Sequence, residues 1–301
     1  MIAPAPVIPL SRWAGRQLAE LARHAAAPAI ARLSGETLLG ERAMLNGLRV
    51  PHRQSAGGSC PLLACRNGWE ALNRARHDDR ELLPALFQVT PEAVASDAAV
   101  AWHVARADAE TLLARGRELG LAIASLDEAP RPPLATMTAG PRRPPPADKR
   151  PLVIDLSSLW AGPLCSHLLW LAGARVVKVE SRARPDAMRE GDPEFFRLLA
   201  QGKDSVAIDF ASRDGKAALQ GLCERADIVI EASRPRALRH LGIDADAIVR
   251  RNPGLAWLTI TGHGVAGGRA PRGGVGGGCG GGGGGGTPPF RPGGGARARF
   301  R

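Results

Sequence analysis

The residues best spaced for ligand chemistry lie in the second half of a 301-residue chain. A short apolar run, Leu152–Leu156, leads into Ser157-Ser158-Leu159-Trp160-Ala161-Gly162-Pro163, and a second run ends in Lys178-Val179-Glu180. An acidic residue about 25 positions after a first strand begins is what a dinucleotide-binding fold places on a ribose. Gly162 stands alone, however, where G-x-G-x-x-G is needed for the tight turn and the approach of a pyrophosphate. Nicotinamide chemistry is therefore disfavoured. Further along, Gly262-His263-Gly264 follows another apolar run and reads as a tight turn near a ligand. Cys165 and His167 read as packing residues of a helix, and Asp78-Asp79 as helix N-terminal charge, not a metal site. The five cysteines, Cys60, Cys65, Cys165, Cys223 and Cys279, form no C-x-x-C pair. They read as reduced thiols of a cytoplasmic protein.

The elements that must position these groups follow from hydrophobic spacing. Short apolar runs at 152–156, 176–179, 205–210, 227–230 and 255–260 alternate with helical stretches at 163–170 and, capped by Ser212, up to about 225. Pro163 suits an early helical position and Gly173 a helix stop. Such alternation predicts a parallel sheet covered on both faces, a Rossmann-like α/β domain over residues 151–272. Ahead of it, residues 130–150 read as a stiff Pro-rich linker. Residues 1–129 read as a small α+β domain: a helix over 11–34 with Ser11 as its cap, a hairpin over 59–75 turning at Arg66-Asn67-Gly68, helices near 78–87 and 107–119, and a strand at 121–125. Residues 273–301 carry no strand or helix period and read as a disordered Gly/Arg/Pro tail.

Composition narrows the partners. All but four of the 40 basic residues are arginine, there is no tyrosine, and the net charge is +11. GC-rich codons produce that bias, so the charge is a weak pointer to nucleic acid. The tail has one Arg-Gly-Gly and no interleaved aromatics for base stacking, so nucleic-acid binding is not expected. No apolar run reaches the ~18 residues of a membrane span, and Met1–Leu10 lacks the apolar core of a signal peptide. The chain reads as soluble.

Particular words of the second half carry a stronger signal. Val153-Ile154-Asp155-Leu156-Ser157, Ala161-Gly162-Pro163, Ala172-Gly173-Ala174 and Val177-Lys178-Val179-Glu180 come in that order. Gly191-Asp192-Pro193 follows, then Gly202-Lys203-Asp204-Ser205, Ala226-Asp227-Ile228-Val229-Ile230-Glu231, Arg234-Pro235, Asn252-Pro253 and Ile260-Thr261-Gly262-His263-Gly264. This ordered set resembles the family III CoA-transferases, the formyl-CoA transferase and carnitine CoA-transferase group that includes the α-methylacyl-CoA racemases. The resemblance covers about residues 151–272. Weaker likeness to the family's small domain runs from Gly57-Gly58-Ser59 to Gly120-Leu121-Ala122, placed here before the large domain.

The resemblance implies acyl-CoA and a carboxylic acid as substrates, coenzyme A as the carried group, and no metal. It implies an Asp nucleophile that attacks the thioester, or, in the racemases, a His and carboxylates that exchange an α-proton. It places Ser158, Leu159, Trp160 and Ala161 in the loop bordering the active site. Its CoA contacts fall in loops that here hold Arg182, Arg184, Arg234 and Arg239, with Lys203 ahead of the third strand. Cations suit the phosphates of CoA. Ala232-Ser233 departs from the family's Asn-aromatic pair. The family's interlocked homodimer is implied by the resemblance alone. The nucleophilic Asp is expected a dozen or so residues beyond Gly264, yet no Asp or Glu follows Asp246, and 12 of the 14 residues over 273–286 are glycine. That leaves His263 as the one weak catalytic candidate. The reading is a truncated or frameshifted member with impaired transfer, alternatives being a racemase-like enzyme or a non-catalytic CoA-binding protein.

Overall fold

The computed structural model describes residues 9–48, 53–55, 58–75, 77–127, 135–139, 149–233 and 237–261. His263, Arg234 and the Gly-rich stretch lie outside the described residues, as does most of the Pro-rich segment. By packing, the described chain forms two compact units. One holds the residues up to 48 together with those from 135 on, and the other holds those between 53 and 127. Composition places the boundary at 130–150, whereas packing groups the first three helices with the sheet beyond that segment.

Those helices are α1 (Pro9–Ala25), α2 (Pro28–Ala31) and α3 (Gly35–Leu45). The single helix predicted over 11–34 is broken because Pro28 disfavours helical backbone in the residue before it, and Ala26 turns at φ 48°. Ser11 is not a cap. It lies inside α1 and is buried. Ser34 caps α3 by accepting from the Thr37 N–H.

The second unit is a three-stranded antiparallel sheet, β1 (Leu62–Cys65), β2 (Gly68–Leu72) and β3 (Ile123–Ser125), in that order. Helices α4 (His77–Glu81), α5 (Leu83–Phe87), α6 (Asp97–Arg106) and α7 (Ala109–Glu118) accompany it. The hairpin falls where Asn67-Gly68 predicts it, with Cys65 opposite Gly68 and Arg66-Asn67 as the turn. Leu72, Leu83, Leu86, Val100, Val104 and Leu112 form its core. Helix α6 has no counterpart in the hydrophobic pattern of the sequence.

The first unit is built on a six-stranded sheet. Its strands are β4 (Ala135–Ala139), β5 (Leu152–Asp155), β6 (Arg175–Ser181), β7 (Asp204–Ile208), β8 (Ile228–Glu231) and β9 (Ala256–Ile260), ordered β4-β9-β8-β5-β6-β7. The five strands expected from the apolar runs are all parallel to one another, and β4 pairs antiparallel with β9. Five residues of the Pro-rich segment thus join the sheet edge. They contain no proline, so every N–H is available to the ladder. The connecting helices are α8 (Ala161–Leu171), α9 (Met188–Gly191), α10 (Pro193–Ala200), α11 (Arg213–Arg225), α12 (Ala237–His240) and α13 (Ala245–Arg251). Ile154, Val177 and Val179 face Leu219, Cys223, Ile248 and Val249 of α11 and α13. The other face, Val153, Val176 and Ile230, packs on Cys165, Leu169 and Trp170 of α8. Both faces are covered, as near-continuous apolar strands require. Leu18 and Ile30 of the first helices pack on Leu168 and Leu171 of α8.

Candidate active-site edge

In this sheet the chain steps from β5 to β6 and β7 on one side, then returns to place β8 on the other. The strand order reverses at β5, and open parallel sheets bind ligands outside the carboxyl ends of the strands at such a reversal. The loop 156–160 leaves β5 at that point, and the neighbouring parallel strand β8 ends in a turn at residues 231–233. Glu231 closes the latter turn by accepting from the Ser233 N–H at 2.9 Å and its hydroxyl at 2.6 Å.

Beneath the first loop lies a buried polar network. The Lys203 ammonium donates to Ser166 Oγ at 2.6 Å, to the Pro163 carbonyl at 2.8 Å and to Asp155 Oδ2 at 3.2 Å. Ser166 donates to the same Asp155 oxygen at 2.5 Å, and the Ser157 hydroxyl and N–H donate to the other. Every member is satisfied, which low dielectric surroundings demand of buried charge. Burial holds Lys203 below its ordinary pKa, with Asp155 offsetting part of that effect. Gly162 fits here because a Cβ would collide with Ser157. The lone glycine of the sequence thus serves close packing, not a phosphate turn. Gly202, at φ 74°, lies against the Trp170 ring and turns the chain into Lys203.

Next to it, Lys178 Nζ donates to the Ser157 carbonyl at 2.7 Å and pairs with Asp186 at 3.1 Å. Asp186 accepts from the Leu159 N–H, and Glu180 accepts from the Asp186 N–H at 2.7 Å while paired with Arg189. Burial alone would raise the Glu180 carboxyl, but Arg189 and the Asp186 N–H bring it below its usual value. Burial, reinforced by the Asp155 charge, pushes the Cys165 thiol up to about 11. Burial, followed by the charge of Lys203, pushes His167 down to about 4, and its Nδ1 is buried without a hydrogen bond.

The predicted site residues separate into two sets. Ser158, Leu159, Trp160 and Ala161 are exposed on the loop and first turn of α8, with Leu159 48% and Trp160 41% exposed. Arg182 and Arg184 are exposed just past β6, and Arg239 is exposed on α12 after β8. Ser158 to Ala161 thus follow the carboxyl end of β5, and Arg182 and Arg184 that of β6. Lys203 does not join them at the surface: its side chain is 1% exposed and its ammonium is turned inward. Sequence reasoning passed over Asp155, Lys178 and Asp186. For Asp155 and Lys178 the available signal was charge inside strands that are otherwise apolar, whereas Asp186 lies in the connection after β6 and carried none. The space between Leu159, Pro163, Phe196 and Leu199 is too narrow to admit a water molecule, so it is not an acyl-CoA pocket.

Comparison with known proteins bears on the same segment. A family model described as CoA-transferase family III matches residues 151–285, a span that continues past the point where the sequence reading ends the resemblance. Succinyl-CoA–D-citramalate CoA-transferase of Chloroflexus aurantiacus is 34% identical over 146 residues, covering 45% of this chain and 35% of that protein. Human alpha-methylacyl-CoA racemase is 33% identical over 115 residues, covering 38% of this chain and 28% of that protein. Among solved structures, a hypothetical protein of Mycobacterium tuberculosis is 34% identical, with a TM-score of 0.39 over 41% of this chain and 36% of that one. The chain spans about a third of the length of these curated relatives.

Proposed function

We propose that this chain, whose residues 151–285 carry the sequence of CoA-transferase family III, binds coenzyme A along the carboxyl edge of its parallel sheet and is impaired in transferring it. The observation that carries this reading is the ordered set of family words from Val153 to Thr261, folded so that residues 156–160 and 182–184 follow the carboxyl ends of the neighbouring parallel strands β5 and β6 at the strand-order reversal. Arg182, Arg184 and Arg239 supply cations for the phosphates, together with Arg234 by its place in the sequence. Ser158, Leu159, Trp160 and Ala161 form the wall bordering the thioester.

In complete transfer, a carboxylate attacks the thioester carbonyl and releases the CoA thiolate, leaving a mixed anhydride. The thiolate then attacks the enzyme-side carbonyl of that anhydride, freeing the first acid and forming an enzyme thioester. A second acid repeats the exchange in reverse order. Every step needs the enzyme carboxylate. The resemblance expects it a dozen or so residues beyond Gly264, in the stretch 269–278, and no Asp or Glu lies between Asp246 and Arg301. Glycine offers no oxygen nucleophile, and His263 cannot form the same anhydride.

The 33% identity to a racemase favours testing α-proton exchange beside transfer. Incubation with an acyl-CoA and a free carboxylic acid, followed by mass spectrometry, should show no exchanged ester. The same acyl-CoA in deuterated water reports racemase-type exchange. Appearance of exchanged ester at enzymatic rates would refute the impairment. We place the protein in the cytoplasm, where its thiols stay reduced. Among the described residues no helix is long and apolar enough to cross a membrane.

A further inference from the structure

Leu159 is the one non-glycine residue of the described sheet unit beyond residue 135 with a left-handed backbone, at φ 71°. It sits in the middle of the exposed loop, and for a branched side chain that conformation is costly and persists only when its surroundings over-determine it. The surroundings here are a charged pair inside the fold. Lys178 and Asp186 are 3.1 Å apart with side chains 2% and 1% exposed. Lys178 donates to the Ser157 carbonyl at 2.7 Å, and both oxygens of Asp186 lie 3.2 Å from the Leu159 N–H. Asp186 is fixed in turn by the Met188 N–H at 3.1 Å and, through its own N–H, by Glu180. The pair therefore grips the loop backbone on both sides of Ser158. Stability is a weak reason for it, because replacing such a pair by well-packed apolar residues of similar volume is often neutral or stabilising.

We propose that Lys178 and Asp186 are positioning residues that hold Leu159 in its left-handed conformation and so set the loop surface, Ser158 to Ala161, against which CoA binds. This rests on the CoA-binding reading above. Neither residue touches the ligand. They act through the backbone at 157 and 159.

The test uses the full chain and coenzyme A itself as the probe. In Lys178→Met/Asp186→Leu no buried charge is left unpaired, so cooperative unfolding should be retained. Its CoA affinity should fall about tenfold, and amide exchange at Leu159 should rise about tenfold while Val177 and Val179 stay protected. A merely structural pair would raise exchange at Val177 and Val179 together with Leu159. Should the double variant not fold, Lys178→Met, which leaves Asp186 its Leu159 and Met188 N–H partners while releasing the Ser157 carbonyl, reads the same two quantities. Unchanged Leu159 exchange and unchanged affinity in a folded variant would overturn the proposal. Absence of CoA binding by the unmodified chain would instead overturn the reading it rests on, and the exchange measurement would still decide the role of the pair.

Discussion

Lys203 and Asp155 show how much of this fold depends on single charged atoms. Their side chains are 1% and 0% exposed. Lys203→Met leaves Asp155 buried without its cation, and breaking such a pair from one side costs about 3–5 kcal/mol. Urea denaturation should show that loss, with Lys203→Met/Asp155→Leu recovering part of it. A Lys203→Met protein as stable as the parent would contradict the buried-pair description. The exposed arginines should behave differently. Arg182→Ala and Arg184→Ala each remove a proposed phosphate contact, worth about 1.5–3 kcal/mol for a charged hydrogen bond, so calorimetry should show weaker CoA binding with the fold intact. His167 supplies a pH signature. Its pKa is about 4 in the folded chain, against about 6.5 when unfolded. Between those values the unfolded chain binds more protons, so this contribution to stability is whole above about pH 6.5 and is lost as pH falls toward 4. Denaturation midpoints at pH 7, 5.5 and 4.5 should decline less for His167→Leu than for the parent. Equal declines would remove His167 as a source.

At the scale of elements, local chemistry decides what forms and topology decides what it is used for. Ser212 caps α11 by accepting from the Gly215 N–H at 3.0 Å, and Ser212→Ala should cost about 1 kcal/mol, measurable as a lower denaturation midpoint. Gly202→Ala should cost more, about 2 kcal/mol, since φ 74° and the Trp170 ring both oppose a Cβ. The parallel strands were legible because strands covered on both faces are apolar runs, and the hairpin because Asn-Gly marks its turn. Three elements were not. Helix α6 is Ala-rich over Asp97–Arg106, so its buried face amounts to Val100 and Val104 and gives little periodic contrast. The break between α1 and α2 hung on one proline inside an otherwise periodic stretch. Strand β4 owes its existence to pairing with β9, more than a hundred residues away, and nothing local distinguishes Ala-Thr-Met-Thr-Ala from a linker. The candidate edge was legible to a similar extent. Its loops followed from strand ends, but the inward turn of Lys203 and the pairing of Lys178 with Asp186 depend on which strands lie side by side.

For the molecule as a whole, the +11 charge says less about partners than its placement does. On the function proposed above, Arg182 and Arg184 past β6 suit a polyphosphate ligand, and no Asp or Glu follows Asp246 to supply the carboxylate that transfer needs. Binding and chemistry should therefore separate in this protein. The most direct measurement is a calorimetric titration of the full chain with coenzyme A at low and at moderate salt. Saturable binding that weakens with salt and with Arg182→Ala is the predicted result. Heats no larger than dilution at either salt concentration would contradict the assignment of the sheet edge as a CoA site.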